Sequence, residues 1–238
     1  MEALAGLAGK MNEKNYLDRI LQTIAEMVAD KLDSPVTSIM LVDDERKELS
    51  ITAARCSSED YLHRMPLKVE DSLIGRVIRE GQPIMIPNVL EEKQYRYPEL
   101  ARKTGLASLL SVPMFKGDVV IGAINIYTRE PHQFAEDEVD FVKVVAGQAA
   151  IAIENARLMA ETLEAKRALE TRKVVERAKG IMQVKLGITE EDAYLKLRNE
   201  SRRLRRPMRD LADAVILSDE LEKQQRTPKP AMPAPPLT

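Results

Sequence analysis

The side chains of this chain best placed to do chemistry lie between Lys173 and Arg198, and that chemistry is electrostatic. Lys173, Arg177, Lys179, Lys185, Lys196 and Arg198 punctuate this run, and Arg172 and Arg202, Arg203, Arg205, Arg206 and Arg209 extend it. Residues 171–209 hold 12 Lys/Arg against 5 Asp/Glu, a balance of +7, so the rest of the chain carries −9 of the net −2. A basic segment on an acidic body suggests a polyanionic partner. A solvated helical surface would show the same charge. Guanidinium forks match phosphate oxygens, and a handful of such cations supplies sequence-independent affinity by releasing counterions.

Other chemistries find little support. One cysteine (Cys56) and two histidines (His63, His132) fall short of a four-ligand zinc site, and a lone cysteine fits a reducing compartment. Gly117 and Gly122 flank a strand and form no phosphate-cradling loop. No Ser-His-Asp set or paired carboxylates stand at defensible spacing, so an enzyme is not expected. Neither a signal peptide nor a run of roughly 20 apolar residues is legible, which points to a cytoplasmic location. Aromatic residues make up 4% of the chain, which disfavours recognition by ring stacking.

The elements that must position the cations follow from periodicity. Residues 16–32 carry an amphipathic helix stopped by Asp33-Ser-Pro35. Val36–Val42 and Leu49–Ala53 read as a hairpin, and Ser72–Glu80 as a short helix ended by Gly81. Pro83–Pro87 is a short strand, and 88–98 a polar loop. Ser108–Phe115 and Val119–Tyr127 form a second hairpin turned at Lys116-Gly-Asp118, apolar on successive positions and so covered on both faces. Strands and helices mix without strict alternation, which predicts an antiparallel α+β domain.

A long helix is predicted from Ala135. Val144, Gln148, Ile151, Asn155, Leu158, Thr162, Ala165 and Leu169 recur at steps of four and three, a heptad seam with polar members. A dimer coil and a packing helix that simply runs on both fit it; the extent of the pattern favours the coil. Beyond 171 the apolar stripe moves to Val174, Val175, Ala178, Ile181 and Met182, so a second domain is expected there. Gly187 stops the helix, Thr189-Glu-Glu-Asp192 resembles a capping box, and Ala193, Leu197 and Leu204 build the next face. A third helix runs from Met208 to Leu221. Gly180, costly inside a helix by about 1 kcal/mol, calls for close helix packing or close approach of a nucleic-acid backbone.

Glu176-Arg-Ala-Lys-Gly-Ile-Met182, Gly187, Glu191-Asp-Ala193, Leu197-Arg198 and Leu211-Ala212 together resemble the ANTAR domain of bacterial transcription antiterminators. The resemblance implies a three-helix bundle that binds paired RNA hairpins and keeps a terminator from forming. Residues 14–162 resemble a GAF domain, carried by Ser72–Pro83, Ser111-Val-Pro-Met-Phe115, Val120–Ile126 and Phe134-Ala-Glu-Asp-Glu138. The cyclic-nucleotide pattern of GAF domains is broken, because Ile126 follows Asn125 and two residues separate Phe134 from Asp137. The resemblance leaves the pocket ligand unknown, with no cofactor expected and room for a small-molecule or protein input.

The expected organisation is an N-terminal segment 1–13, a GAF-like sensor 14–162, a coiled-coil linker 163–170, an RNA-binding bundle 171–222 and a disordered proline-rich tail 223–238. Charge placement and resemblance nominate Arg177, Lys179 and Arg198 for phosphate contact, with Arg202 and Arg203 in reserve. Gly180 and Ala193 are nominated for close approach. The expected partners are an RNA hairpin pair and a second copy joined through the coil. A sensory dimer whose basic helices dock on an acidic protein is the rival reading.

Overall fold

The computed structural model describes residues 2–43 and 45–226. The chain divides into two compact units, 1–160 and 161–238. The first is α+β. Its strands are β1 (Val36–Asp43), β2 (Glu48–Arg55), β3 (Leu67–Lys68), β4 (Ile84–Ile86), β5 (Leu109–Lys116) and β6 (Val119–Tyr127). They form one antiparallel sheet in the order β3-β2-β1-β6-β5-β4. The helices are α1 (Glu2–Lys31), α2 (Glu59–Leu62), α3 (Leu73–Glu80), α4 (Pro98–Thr104) and α5 (Glu136–Leu186), the last running on past residue 160.

Each face of the sheet buries its own core. On one face Leu21, Ala25 and Val28 of α1 and Val139, Val142 and Ala146 of α5 pack against Ile39, Val112, Ile124 and Ile126. On the other, Met40, Leu109, Ala123 and Tyr127 meet α2, α3 and the 88–97 segment. Strands covered on both sides need apolar residues at every position, and Leu109–Met114 are buried without a break. The second face also carries a polar strip set by strand register, with Ser111 opposite Asn125 and Asn125 opposite Ser38. Ser111 Oγ donates to Asn125 Oδ1 at 2.7 Å, and Ser38 Oγ lies 2.9 Å from the Tyr61 hydroxyl.

Helices α2 and α4 are too short, at 4 and 7 residues, to leave a periodic signature, and the sequence pattern does not indicate them. Residues 2–13 continue α1 upstream of the predicted 16–32 helix, and 223–226 complete the last helix, Met208–Arg226, where a tail is expected. The remainder of that tail, 227–238, lies outside the described residues. Among the described residues no helix is long and apolar enough to cross a membrane.

The second unit is a three-helix bundle of the last part of α5 with α6 (Glu190–Leu204) and α7 (Met208–Arg226). Its core is small: Val175 and Ala178 of α5, Leu197 of α6, and Ala212 and Ile216 of α7, rimmed by Ile181, Met182, Leu211 and Val215. Leu204, expected on the buried face of α6, is 46% exposed. It borders an open groove that also takes in Met182, Lys196 and Leu211.

Candidate nucleic-acid interface

The turn from α5 to α6 fixes where the cations of each helix point. Gly187 takes a left-handed conformation, φ +64°, which ends α5. Thr189 then caps α6: its Oγ1 accepts from Asp192 N at 3.1 Å and donates to Asp192 Oδ2 at 2.8 Å. The cap stands where the sequence places it, with aspartate in the fourth place and both bonds made through the Thr189 hydroxyl.

The nominated residues fall into three groups. Arg177, Lys179 and Arg203 are paired. Arg177 Nη2 donates to Glu220 Oε1 of α7 at 2.8 Å. Arg203 pairs with Glu200 one turn back, at 2.6 Å. Lys179 is 6% exposed, and its ammonium lies 2.8 Å from Glu176 Oε2 and 2.6 Å from Glu190 Oε1. Hydrogen bonds donated to Glu176 and then to Glu190 raise its pKa, and Lys179 in turn lowers that of Glu190. Lys185 behaves alike. It holds Asp219 at 3.0 Å and Glu222 at 2.9 Å, and Lys223 and Lys185 together lower the pKa of Asp219. Arg177, Lys179 and Lys185 thus tie α5 to α6 and α7, whereas the Arg203 pair lies within α6.

Arg198 and Arg202 form the second group, unpaired and four residues apart on one face of α6. Arg202 is exposed. Arg198 is half-buried, and its Nε is buried without a hydrogen-bond partner. Arg172, Lys173, Lys196, Arg205 and Arg206 share their condition: all are exposed, with no ion pair among the described residues. Arg205 takes φ +51° at the α6 C-cap, which turns the chain towards α7. Sequence reasoning placed Lys196, Arg205 and Arg206 in the basic run without singling them out, and Asp192 and Glu200, one turn either side of Lys196, hide its free state from a reading of spacing alone.

Of the two residues nominated for close approach, Ala193 requires correction. Ala193 is fully buried, 0% exposed, so it offers no surface for close approach. Its small side chain lets α6 sit against the bundle core. A Cβ built on Gly180 meets nothing within 4 Å, so close packing inside the chain does not account for this glycine. It lies in a shallow depression bordered by Arg177, Val184 and Lys185.

No three His, Cys, Asp or Glu side chains gather as a metal site among the described residues. Cys56 is half-buried, and burial raises its thiol pKa, which keeps it protonated.

Comparison with known proteins separates the same two units. Residues 15–154 match the family model described as GAF domain, and residues 163–216 the one described as ANTAR domain. The methyl sulfide methyltransferase-associated sensor of Methanosarcina acetivorans is 27% identical over 146 residues, covering 58% of this chain and 14% of that protein. The phosphoenolpyruvate-dependent phosphotransferase system of Escherichia coli is 22% identical over 157 residues, covering 66% of this chain and 21% of that one. The chain thus spans about a fifth or less of these relatives. Among solved structures, the GAF domain of a Coxiella burnetii phosphoenolpyruvate-protein phosphotransferase superposes with a TM-score of 0.56 at 25% identity, covering 66% of this chain and 96% of that one.

Proposed function

We propose, for a chain that belongs to the GAF domain family and carries an ANTAR domain behind it, a signal-responsive regulator that binds paired RNA hairpins and promotes transcription antitermination. Both domains are of sensory and regulatory kinds, which supports a regulator over an enzyme. The observation that carries the reading is the partition of cations in residues 161–226. Arg177, Lys179 and Lys185 are consumed by carboxylates. Arg198, Arg202, Lys196, Arg205 and Arg206 carry no ion pair. Unpaired cations on one helix and the turn behind it suit a phosphate backbone, because each sheds counterions on contact without first breaking an internal salt bridge. In this reading Arg198 and Arg202 contact phosphate, Lys179 and Arg177 hold the bundle together, and Arg203 contributes after leaving Glu200.

A homodimer completes the reading. Val144, Ile151, Leu158 and Leu169 of the seam are all exposed in a single chain, and exposed apolar residues at heptad spacing are what a second copy buries in a coiled coil. Two bundles on one dimer suit two hairpins, because tethered sites gain effective concentration. The protein works in the cytoplasm, where nascent transcripts are.

Titration of the full chain with an RNA carrying two hairpins tests this, against an unpaired RNA of the same composition. The expected result is preferential binding of the two-hairpin RNA by two chains. Equal affinity for both RNAs, or one chain per RNA, contradicts the reading.

A further inference from the structure

The 1–160 unit half-buries Arg64 and gives its guanidinium no counter-charge among the described residues. Arg64 follows α2 and lies over the second face of the sheet. Its Cζ stands 4.3 Å from the centroid of the Tyr61 ring and 5.4 Å from that of Tyr97. Nη2 meets only a soft acceptor, Met40 Sδ at 3.3 Å, and Nε is buried without a partner. No carboxylate lies within ion-pair reach of Arg64 among the described residues. Two further buried groups near it are unsatisfied, the hydroxyls of Tyr95 and Tyr127. These rings stack edge-on, Tyr61 to Tyr127 at 5.9 Å and Tyr95 to Tyr127 at 6.4 Å. Their hydroxyls are close enough to Arg64 and to each other to polarise one another, yet the Tyr95 and Tyr127 hydroxyls reach no partner at hydrogen-bonding geometry.

Buried polar groups are nearly always hydrogen-bonded, and each orphan costs about 1–3 kcal/mol, more when charged. Three orphans around one cleft are therefore a donor set without its acceptor. Burial pushes the Tyr95 hydroxyl up to about 12 and raises those of Tyr61 and Tyr127, so all three phenols stay protonated and able to donate. A guanidinium with neutral phenols offers donors to an oxyanion. The walls decide which oxyanion. Leu67, Leu73, Ile74 and Leu109 line much of the same cleft, beside Ser72, Gln94 and Arg96. A carboxylate presents two oxygens to the donors and a carbon tail to these walls, whereas a phosphate would leave oxygens facing hydrocarbon.

We propose that Arg64, Tyr95 and Tyr127 form the recognition end of a binding site for a small carboxylate, covered in this conformation by the 88–97 segment. The cleft is nearly shut, at about 10 Å³, room for one water at most. The cover is held by few ties. Tyr97 Oη donates to Met65 O at 2.8 Å, Arg96 stands 3.9 Å from Asp71, and Val89 N donates to Ala107 O at 2.6 Å. The other hydrogen bonds of 88–97 are local turns, such as Leu90 N and Gln94 N donating to the side chains of Asn88 and Glu92. An entering carboxylate would satisfy the buried donors and reset this segment, which gives the sensor an input. The proposal rests on reading this unit as a sensor, and it names the class of signal.

Isothermal calorimetry on the full chain tests it. The probes are acetate, malonate, succinate and glutarate, with succinamide as an uncharged isostere and inorganic phosphate as the other oxyanion. At least one carboxylate is expected to bind, and Arg64→Gln to weaken it about tenfold or more, since hydrogen bonds to charged groups are strong. Tyr127→Phe keeps the ring and its packing, so its weaker binding, about threefold or more, cannot arise from unfolding. Absence of binding by all four carboxylates, unchanged affinity in both variants, or phosphate or succinamide binding as tightly as the best carboxylate overturns the proposal. RNA binding in the same preparations reports on the antitermination reading separately: intact RNA binding without carboxylate binding ends this proposal alone.

Discussion

Two cations, Lys179 in one unit and Arg64 in the other, are treated in opposite ways. Lys179 in the bundle is clasped by two carboxylates from its own chain, at 2.8 and 2.6 Å. Arg64 in the α+β unit is surrounded by phenols and hydrocarbon, with Nε unpaired. A satisfied buried charge is a fastening, because removing its partner strands it. An unsatisfied one is a cost that persists where something from outside relieves it. The Lys179 clasp therefore fastens the bundle, whose unpaired charge lies on α6, where the Arg198 Nε also lacks a partner. The α+β unit is unfinished inside.

This contrast can be broken at several points. The largest effect is expected from Lys179→Met. It unties α5 from α6 in a bundle whose core is only a few residues wide, and the thermal transition of residues 161–226 should fall by at least about 4 °C, the shift that follows a loss of about 1 kcal/mol in so small a domain. Calorimetry should show the transition of residues 1–160 in place; an unmoved bundle transition would mean the clasp holds nothing.

Acid should have the next effect, on the bundle. Glu190 and Asp219 titrate below the ordinary carboxylate value when folded. Groups of depressed pKa contribute stability that is fully present above their unfolded value, near 4, and is lost as pH falls through the folded value. Circular dichroism melts from pH 6 down to about pH 3 should show the bundle weakening through that window. The tyrosine cluster holds no group that titrates there. A bundle transition independent of pH across that range would contradict the assignment.

The smallest effect has the opposite sign. Tyr127→Phe deletes a buried hydroxyl that has no partner, so the ligand-free α+β unit should gain about 1 kcal/mol. A loss of stability, read by urea unfolding, would mean that the hydroxyl is satisfied after all.

Much of this was legible in the sequence, for reasons that can be assigned. The hairpins, the heptad seam, the stop at Gly187 and the cap at Thr189 are local signals, and each is read within a few residues. The clasps were not legible. Arg177 meets Glu220 from 43 positions away, and Lys185 meets Asp219 and Glu222 across the same gap between α5 and α7. A charge count cannot distinguish such cations from Arg198 and Arg202, which is why Lys179 looked like a phosphate ligand. The Arg64 cluster was invisible for a related reason. Its tyrosines come from α2, the 88–97 segment and β6, and only the sheet brings residues 61, 95 and 127 together. Gly180 was half legible, since helix propensity reports that a glycine is costly and not what lies opposite it.

The central claim is that the unpaired cations of α6 meet RNA while the paired ones hold the fold. Binding of a two-hairpin RNA across a salt series tests it most directly, with the wild-type chain beside Arg198→Ala/Arg202→Ala and Arg177→Ala. Losing two phosphate contacts should lower the slope of log affinity against log salt by about 1.4–1.8 in the double variant. Arg177→Ala should leave that slope unchanged. An unaltered slope in the double variant, or the larger drop in Arg177→Ala, would contradict the account.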